Sequence, residues 1–186
     1  MHTGPLISPG LVLLAWSLGL FGRNAPLILS LALIAAVGRT IQVGRARNWP
    51  KPAYVAFEIA VEAVRLLIVV VVIGLGDPQA GAHAIAAFVS GDGRGAALAH
   101  LASGWTHRWP QTLVALVLFA VVAVLANVTV FAIAAASPVR RLAIRVGIAG
   151  SDEGRATTAI VLFIKNLTII PFTAVWIWGL LLFLSR

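Results

Sequence analysis

Of the 186 residues 60% are hydrophobic and 11% charged, whereas an ordinary soluble domain carries about 25% charged residues; most of this chain has no water to face. Cysteine is absent, which excludes disulfides, thiolate metal centres and cysteine nucleophiles. The net charge of +8 does not describe a nucleic-acid-binding face, because the basic residues sit in short connections between apolar runs, where they set orientation and meet anionic lipid.

The composition points to a single all-α domain over 1–186, a polytopic bundle of membrane helices. Crossing ~30 Å of hydrocarbon takes roughly 20 apolar helical residues, and the chain is read for such runs in order. Met1-His2-Thr3 places no basic residue before the first apolar run. A cleavable secretory signal needs a positive leading region, so this segment is expected to be retained. Two runs, 6–21 and 25–38, flank Gly22-Arg23-Asn24-Ala25-Pro26, a turn signature. Each is short, so they form two short spans or a re-entrant hairpin, with two spans favoured. Arg39, Arg45, Arg47 and Lys51 then form a basic connection.

A third span is expected at 53–76. The outer loop 77–108 follows, holding His83, His100 and His107; Gly91-Asp92-Gly93-Arg94-Gly95 breaks it into candidate helices Ala80–Ser90 and Ala96–Ser103. Trp109-Pro110 opens a fourth span over 109–136, tryptophan at headgroup level and proline in the first turn. In the next connection Arg140, Arg141 and Arg145 interleave with Leu142, Ile144 and Val146. This reads as a positive cytoplasmic loop, with an interfacial helix against anionic lipid as the alternative. Ser151 before Asp152 and Glu153 reads as a helix N-cap, leading to the fifth span, 157–184, where Pro171 is expected to kink the helix.

Orientation follows from the basic residues. The two connections hold Arg39, Arg45, Arg47, Lys51, Arg140, Arg141, Arg145 and Arg155, whereas the opposite side holds Arg23, Arg94, Arg108 and Arg186. The N-terminus is therefore expected in the cytoplasm and the C-terminus outside. Preference for arginine over lysine, with abundant alanine, valine and glycine, suggests a bacterial cytoplasmic (inner) membrane.

The chemistry concentrates in the third span. Glu58, Glu62 and Arg65 are spaced i, i+4, i+7 on one helix face, with Tyr54 and Lys51 extending the stripe. Ala56, Ala60 and Ala63 lie opposite, small enough for close helix approach. A charge at mid-bilayer costs about 2.5–3.5 kcal/mol, so the surplus acid needs a cation. Glu62 lies about 14 Å and Lys165 about 12 Å into their respective helices. The expected contact is therefore Lys165 to Glu58 or Glu62, giving a neutral set of two acids and two bases. Asn127, Thr129, Asn166, Thr168 and Thr173 are expected to bridge helices by hydrogen bonds. The three outer histidines match no metal-site spacing, no phosphate loop or hydrolase elbow is present, and neither metal nor cofactor is expected.

Three functions stay open. The first is a non-enzymatic accessory, assembly or regulatory subunit of a larger membrane transport or cell-envelope complex. The second is a small oligomeric proton- or ion-coupled transporter or flippase using the charge cluster. The third is a membrane-embedded lipid-modifying enzyme. Expected partners are the bilayer, anionic lipids at Arg140, Arg141 and Arg145, and other membrane subunits or further copies of the chain, with no nucleic acid.

Overall fold

The computed structural model describes residues 8–44, 49–91, 93–147 and 152–185, and these are helical throughout apart from short turns. Among the described residues eight α-helices run in order: α1 (Ser8–Arg23), α2 (Ala25–Gly44), α3 (Lys51–Ile73), α4 (Pro78–Ser90), α5 (Arg94–Ala135), α6 (Ser137–Arg145), α7 (Glu153–Ile164) and α8 (Ile170–Leu184). A π-helical turn, Lys165–Ile169, joins the last two without a break. Among the described residues three helices are long and apolar enough to cross a membrane: α2, α5 and the continuous Glu153–Leu184. A fourth follows if α3 and α4, bent by 94° from each other, count as one broken span. Taken alone α3 is interrupted by Glu58, Glu62 and Arg65, and α1 is short.

The chain divides into two compact units. The first comprises 1–25, 69–123 and 172–186. Its core sets Leu13, Ala115 and Trp176 against Trp16, Leu118, Phe119, Phe172 and Leu180. Asn24 closes α1 by donating its side-chain amide to the Leu20 carbonyl at 2.9 Å, satisfying one of the acceptors a helix end leaves open. The same side chain fills the space beside Gly76, whose φ of +109° lies in the left-handed region; only glycine adopts that conformation without a Cβ penalty.

The expected outer helix at 96–103 does not stop there. It runs on past Ser103 to Arg108, where non-helical backbone separates it from the part of α5 that continues to Ala135. Gly104 instead allows close approach of the Leu184 backbone. The interruption is a kink at Arg108 (φ −122°, ψ 18°), two residues before Pro110. From there the Arg108 guanidinium donates to the Phe183 carbonyl at 2.5 Å and lies 5.2 Å from the Phe183 ring, capping the end of α8.

The second unit comprises 26–68 and 124–171. Its hydrophobic core joins Val130 and Ala134 of α5, Ala143 of α6, and Ala156, Ile160 and Val161 of α7. The connection expected after residue 136 is thus helical, turned by Ser137-Pro138 and packed by one face. Ser151 lies outside the described residues. The capping side chain is that of Asp152, which accepts from the Arg155 amide at 3.1 Å and pairs with the Arg155 side chain at 3.0 Å, so α7 starts at Glu153.

Candidate functional site

The apolar run of the second segment ends at Val37, but the helix does not. No proline or glycine pair interrupts it before Gly44, and α2 carries Arg39 and Gln42 on its last turns. Arg39, assigned from sequence to a solvated basic connection, is therefore a helix residue. Arg45 and Arg47 lie outside the described residues. Gly38 is the small residue at the α2–α3 contact: a Cβ there would meet Val61, which is buried on α3.

This approach brings Arg39 onto the acidic face of α3. Its Nη1 donates to Glu58 Oε1 at 3.2 Å and its Nη2 donates to Glu62 Oε1. Arg65 Nη1 donates to both carboxylate oxygens of Glu62, at 2.8 and 3.0 Å. Arg39 also donates to Gln42 Oε1 at 2.7 Å. Four formal charges sum to zero. Two carboxylates at i, i+4 repel each other on a bare helix; the fork of one guanidinium bridges them. The side chains are 20% (Arg39), 42% (Glu58), 41% (Glu62) and 29% (Arg65) exposed, so the network lies on the flank of the helix pair rather than in a sealed core.

The expected neutral set of two acids and two bases is present with one member exchanged. Among the described residues Lys165 makes no ion pair with Glu58 or Glu62. Its ammonium lies 6.0 Å from the Phe131 ring centroid. Depth matching pointed to Lys165, but Arg39 is on the helix that touches α3 and its longer, forked side chain reaches both acids. The sequence signal for this was the continued helical period after Val37, in which Ala35, Arg39 and Gln42 share a face.

Other expectations also change. Ala56, Ala60 and Ala63 do not pack within the chain but are exposed; the buried residues of α3 are Val61, Ile68, Val71 and Val72. Tyr54 does not join the ion network. It lines a cavity with Lys51 at the start of α3. Thr129, Asn166 and Thr168 do not bridge helices: each donates back to its own helix, to Leu125, Leu162 and Ile164 at 2.9, 2.7 and 2.8 Å, as short polar side chains do within helices. Asn127 is partly buried on α5.

The kink expected at Pro171 takes the form of the π-helical turn just before it. Proline has no N–H to give to the carbonyl four residues back. The ladder slips by one, with the Ile170 amide donating to the Lys165 carbonyl. Of the three arginines expected to meet anionic lipid, Arg140 pairs with Glu153 at 3.0 Å, while Arg141 and Arg145 are exposed. Among the described residues no group of histidines and carboxylates converges to hold a metal ion. No protein-family model matches the chain, and neither a curated protein nor a solved structure is significantly similar to it.

Proposed function

We propose that this is a multi-pass protein of a bacterial cytoplasmic membrane, crossing it five times with the N-terminus inside, and that it acts as a non-enzymatic accessory subunit of a larger membrane transport or cell-envelope complex. One observation carries the reading: Arg39, Glu58, Glu62 and Arg65 neutralise one another between α2 and α3. Intramembrane charges mark ion or substrate sites by default, and a set neutralised within the chain also fits a structural network. These four have their partners, and their geometry is that of a clamp between two helices. The exposed alanines of α3, with Val55, Ile59, Leu66 and Leu67 beside them, support a helix that meets lipid or another subunit rather than the interior of its own chain. Arg141 and Arg145, exposed on α6, suit contact with anionic lipid on the cytoplasmic side.

The test is purification in mild detergent with identification of co-purifying proteins, for the wild type and for Glu62→Gln. A stoichiometric larger partner, lost or weakened in the variant, supports the subunit reading. A lone homo-oligomer that assembles normally in the variant overturns it.

A second reading, an ion-coupled transporter or flippase, is favoured by a different observation. Lys165 has no carboxylate partner among the described residues and sits at the start of the π-helical turn, next to buried Asn166. Irregular turns of this kind recur at functional sites. Uptake or flipping by the purified protein in liposomes, abolished by Lys165→Met, would replace the first reading with this one.

A further inference from the structure

A cavity of about 650 Å³ opens beside the ion network, between the end of α2 and the start of α3. Its polar lining comes from Arg39, Gln42, Lys51 and Tyr54. None of these is a carboxylate, although two carboxylates lie one turn away. Both acids are directed into the network, so the cavity receives the positive side of the structure.

Gln42 sharpens the reading. It is 6% exposed, and its Oε1 accepts from Arg39 at 2.7 Å. A guanidinium only donates, which fixes the amide with its nitrogen turned away from Arg39. That Nε2 is closed to solvent and has no hydrogen-bond partner among the described residues. Leaving a buried donor unmade is costly, and what would satisfy it is an acceptor. Lys51 is exposed and forms no ion pair among the described residues. A cation and a phenol thus line the same volume, within the size range of small-molecule sites. The remaining wall is apolar, with Val55 and Leu162, so the ligand is polar at one end and apolar at the other.

We propose that this cavity binds a phosphate group, and that the phosphate belongs to the headgroup of an anionic phospholipid. Lys51 supplies the counter-charge, Tyr54 donates a hydrogen bond, and the apolar wall takes the glycerol and upper acyl chain. The site is separate from the arginines of α6. The lipid source rests on the membrane reading above, which is tested separately by whether the protein stays monodisperse without detergent.

The experiment is a thermal-shift titration of the full chain in neutral detergent with short-chain phosphatidylglycerol, phosphatidylcholine or inorganic phosphate. Phosphatidylglycerol should give saturable stabilisation that phosphatidylcholine does not. Lys51→Gln should raise the half-saturating concentration about five-fold, the equivalent of ~1 kcal/mol for one cation at an anionic surface. Gln42→Glu keeps the acceptor for Arg39 but adds a negative charge to the cavity wall, and should weaken binding further. Arg141→Gln/Arg145→Gln should leave the half-point unchanged. If inorganic phosphate alone stabilises with the same sensitivity to both cavity variants, the phosphate site stands and its source is free phosphate. Equal half-points for wild type, Lys51→Gln and Gln42→Glu would overturn the proposal, as would an equal loss in the α6 double variant.

Discussion

Replacing Arg39 by methionine keeps most of the side-chain volume and removes one charge from a set of four. Glu58 loses its ion-pair partner, Glu62 keeps only Arg65, and the α2–α3 contact is left with a net negative charge. Fully exposed pairs contribute about 0–1 kcal/mol each, whereas breaking a buried pair costs about 3–5 kcal/mol. Arg39 at 20% exposure facing carboxylates at 41–42% falls between these limits. The expected loss is about 2–3 kcal/mol, a fall of roughly 30- to 150-fold in the folded-to-unfolded ratio. It is measured by equilibrium unfolding in mixed micelles on titrating a denaturing detergent, followed by tryptophan fluorescence and circular dichroism. Adding Glu58→Gln restores neutrality, and the double variant should recover at least half of the loss, since residues in one ion network couple strongly. Lys165→Met, which removes a cation outside the network, should cost less than Arg39→Met. A loss within about 0.5 kcal/mol of zero, as for an ordinary surface substitution, would refute the clamp. So would an equal cost for Lys165→Met.

Gly38→Ala should destabilise the protein by about 1–3 kcal/mol through overpacking, because the new methyl meets Val61. Val61→Ala in the same chain should recover part of that, an outcome read from the same unfolding curves. Gly76 and Gly91 both have positive φ, but a Cβ at Gly76 would strike Asn24 while Gly91 has open space around it. Gly76→Ala should therefore cost clearly more than Gly91→Ala, which carries only the left-handed penalty of about 1–2 kcal/mol. Pro171→Ala restores an amide and should convert the π-helical turn to regular α-helix. Hydrogen exchange should then show new protection across Lys165–Ile169, and unchanged exchange there would argue that side-chain packing, not proline, holds the turn.

The helical class and the location of most helices were legible because apolar runs and turn residues carry them. Ala25-Pro26 opens α2, Asp77-Pro78 opens α4 with the Asp77 carboxylate capping Gln79 at 2.8 Å, and Gly91 closes α4 in the left-handed conformation. The misjudged ends share one cause. Apolarity marks where a helix can sit in hydrocarbon, not where the helix stops. Val37 ended the apolar run while α2 continued to Gly44, and Ser103 ended a candidate helix that runs on to the kink at Arg108. The acidic stripe of α3 was readable from its spacing alone. The identity of its cation was not, because that depends on which helix packs against α3, a tertiary fact set by Gly38 opposite Val61. The small-residue rule likewise found a stripe on α3, but the small residue at the α2–α3 contact is on α2.

The charges differ in how completely the chain answers them. On α3 each acid meets a guanidinium, and on α6 and α7 the pairs Arg140–Glu153 and Asp152–Arg155 close locally. The irregular backbone before Pro171 is similarly relieved from within: Asn166 and Thr168 give their side-chain donors to the Leu162 and Ile164 carbonyls. Lys165 is different. A ring face at 6.0 Å contributes about 0.5–2 kcal/mol to a cation, less than the roughly 2.5–3.5 kcal/mol that a lysine costs at mid-bilayer. The shortfall can be met by reach of the side chain toward the headgroups or by an anion from outside the chain. Only the last distinguishes the two readings of function, because a carboxylate on a neighbouring subunit would complete an assembly, whereas a transported anion would complete a transport cycle. The α2–α3 network is satisfied in either case, which is why the decisive experiments on function act on Lys165 and on co-purifying partners together.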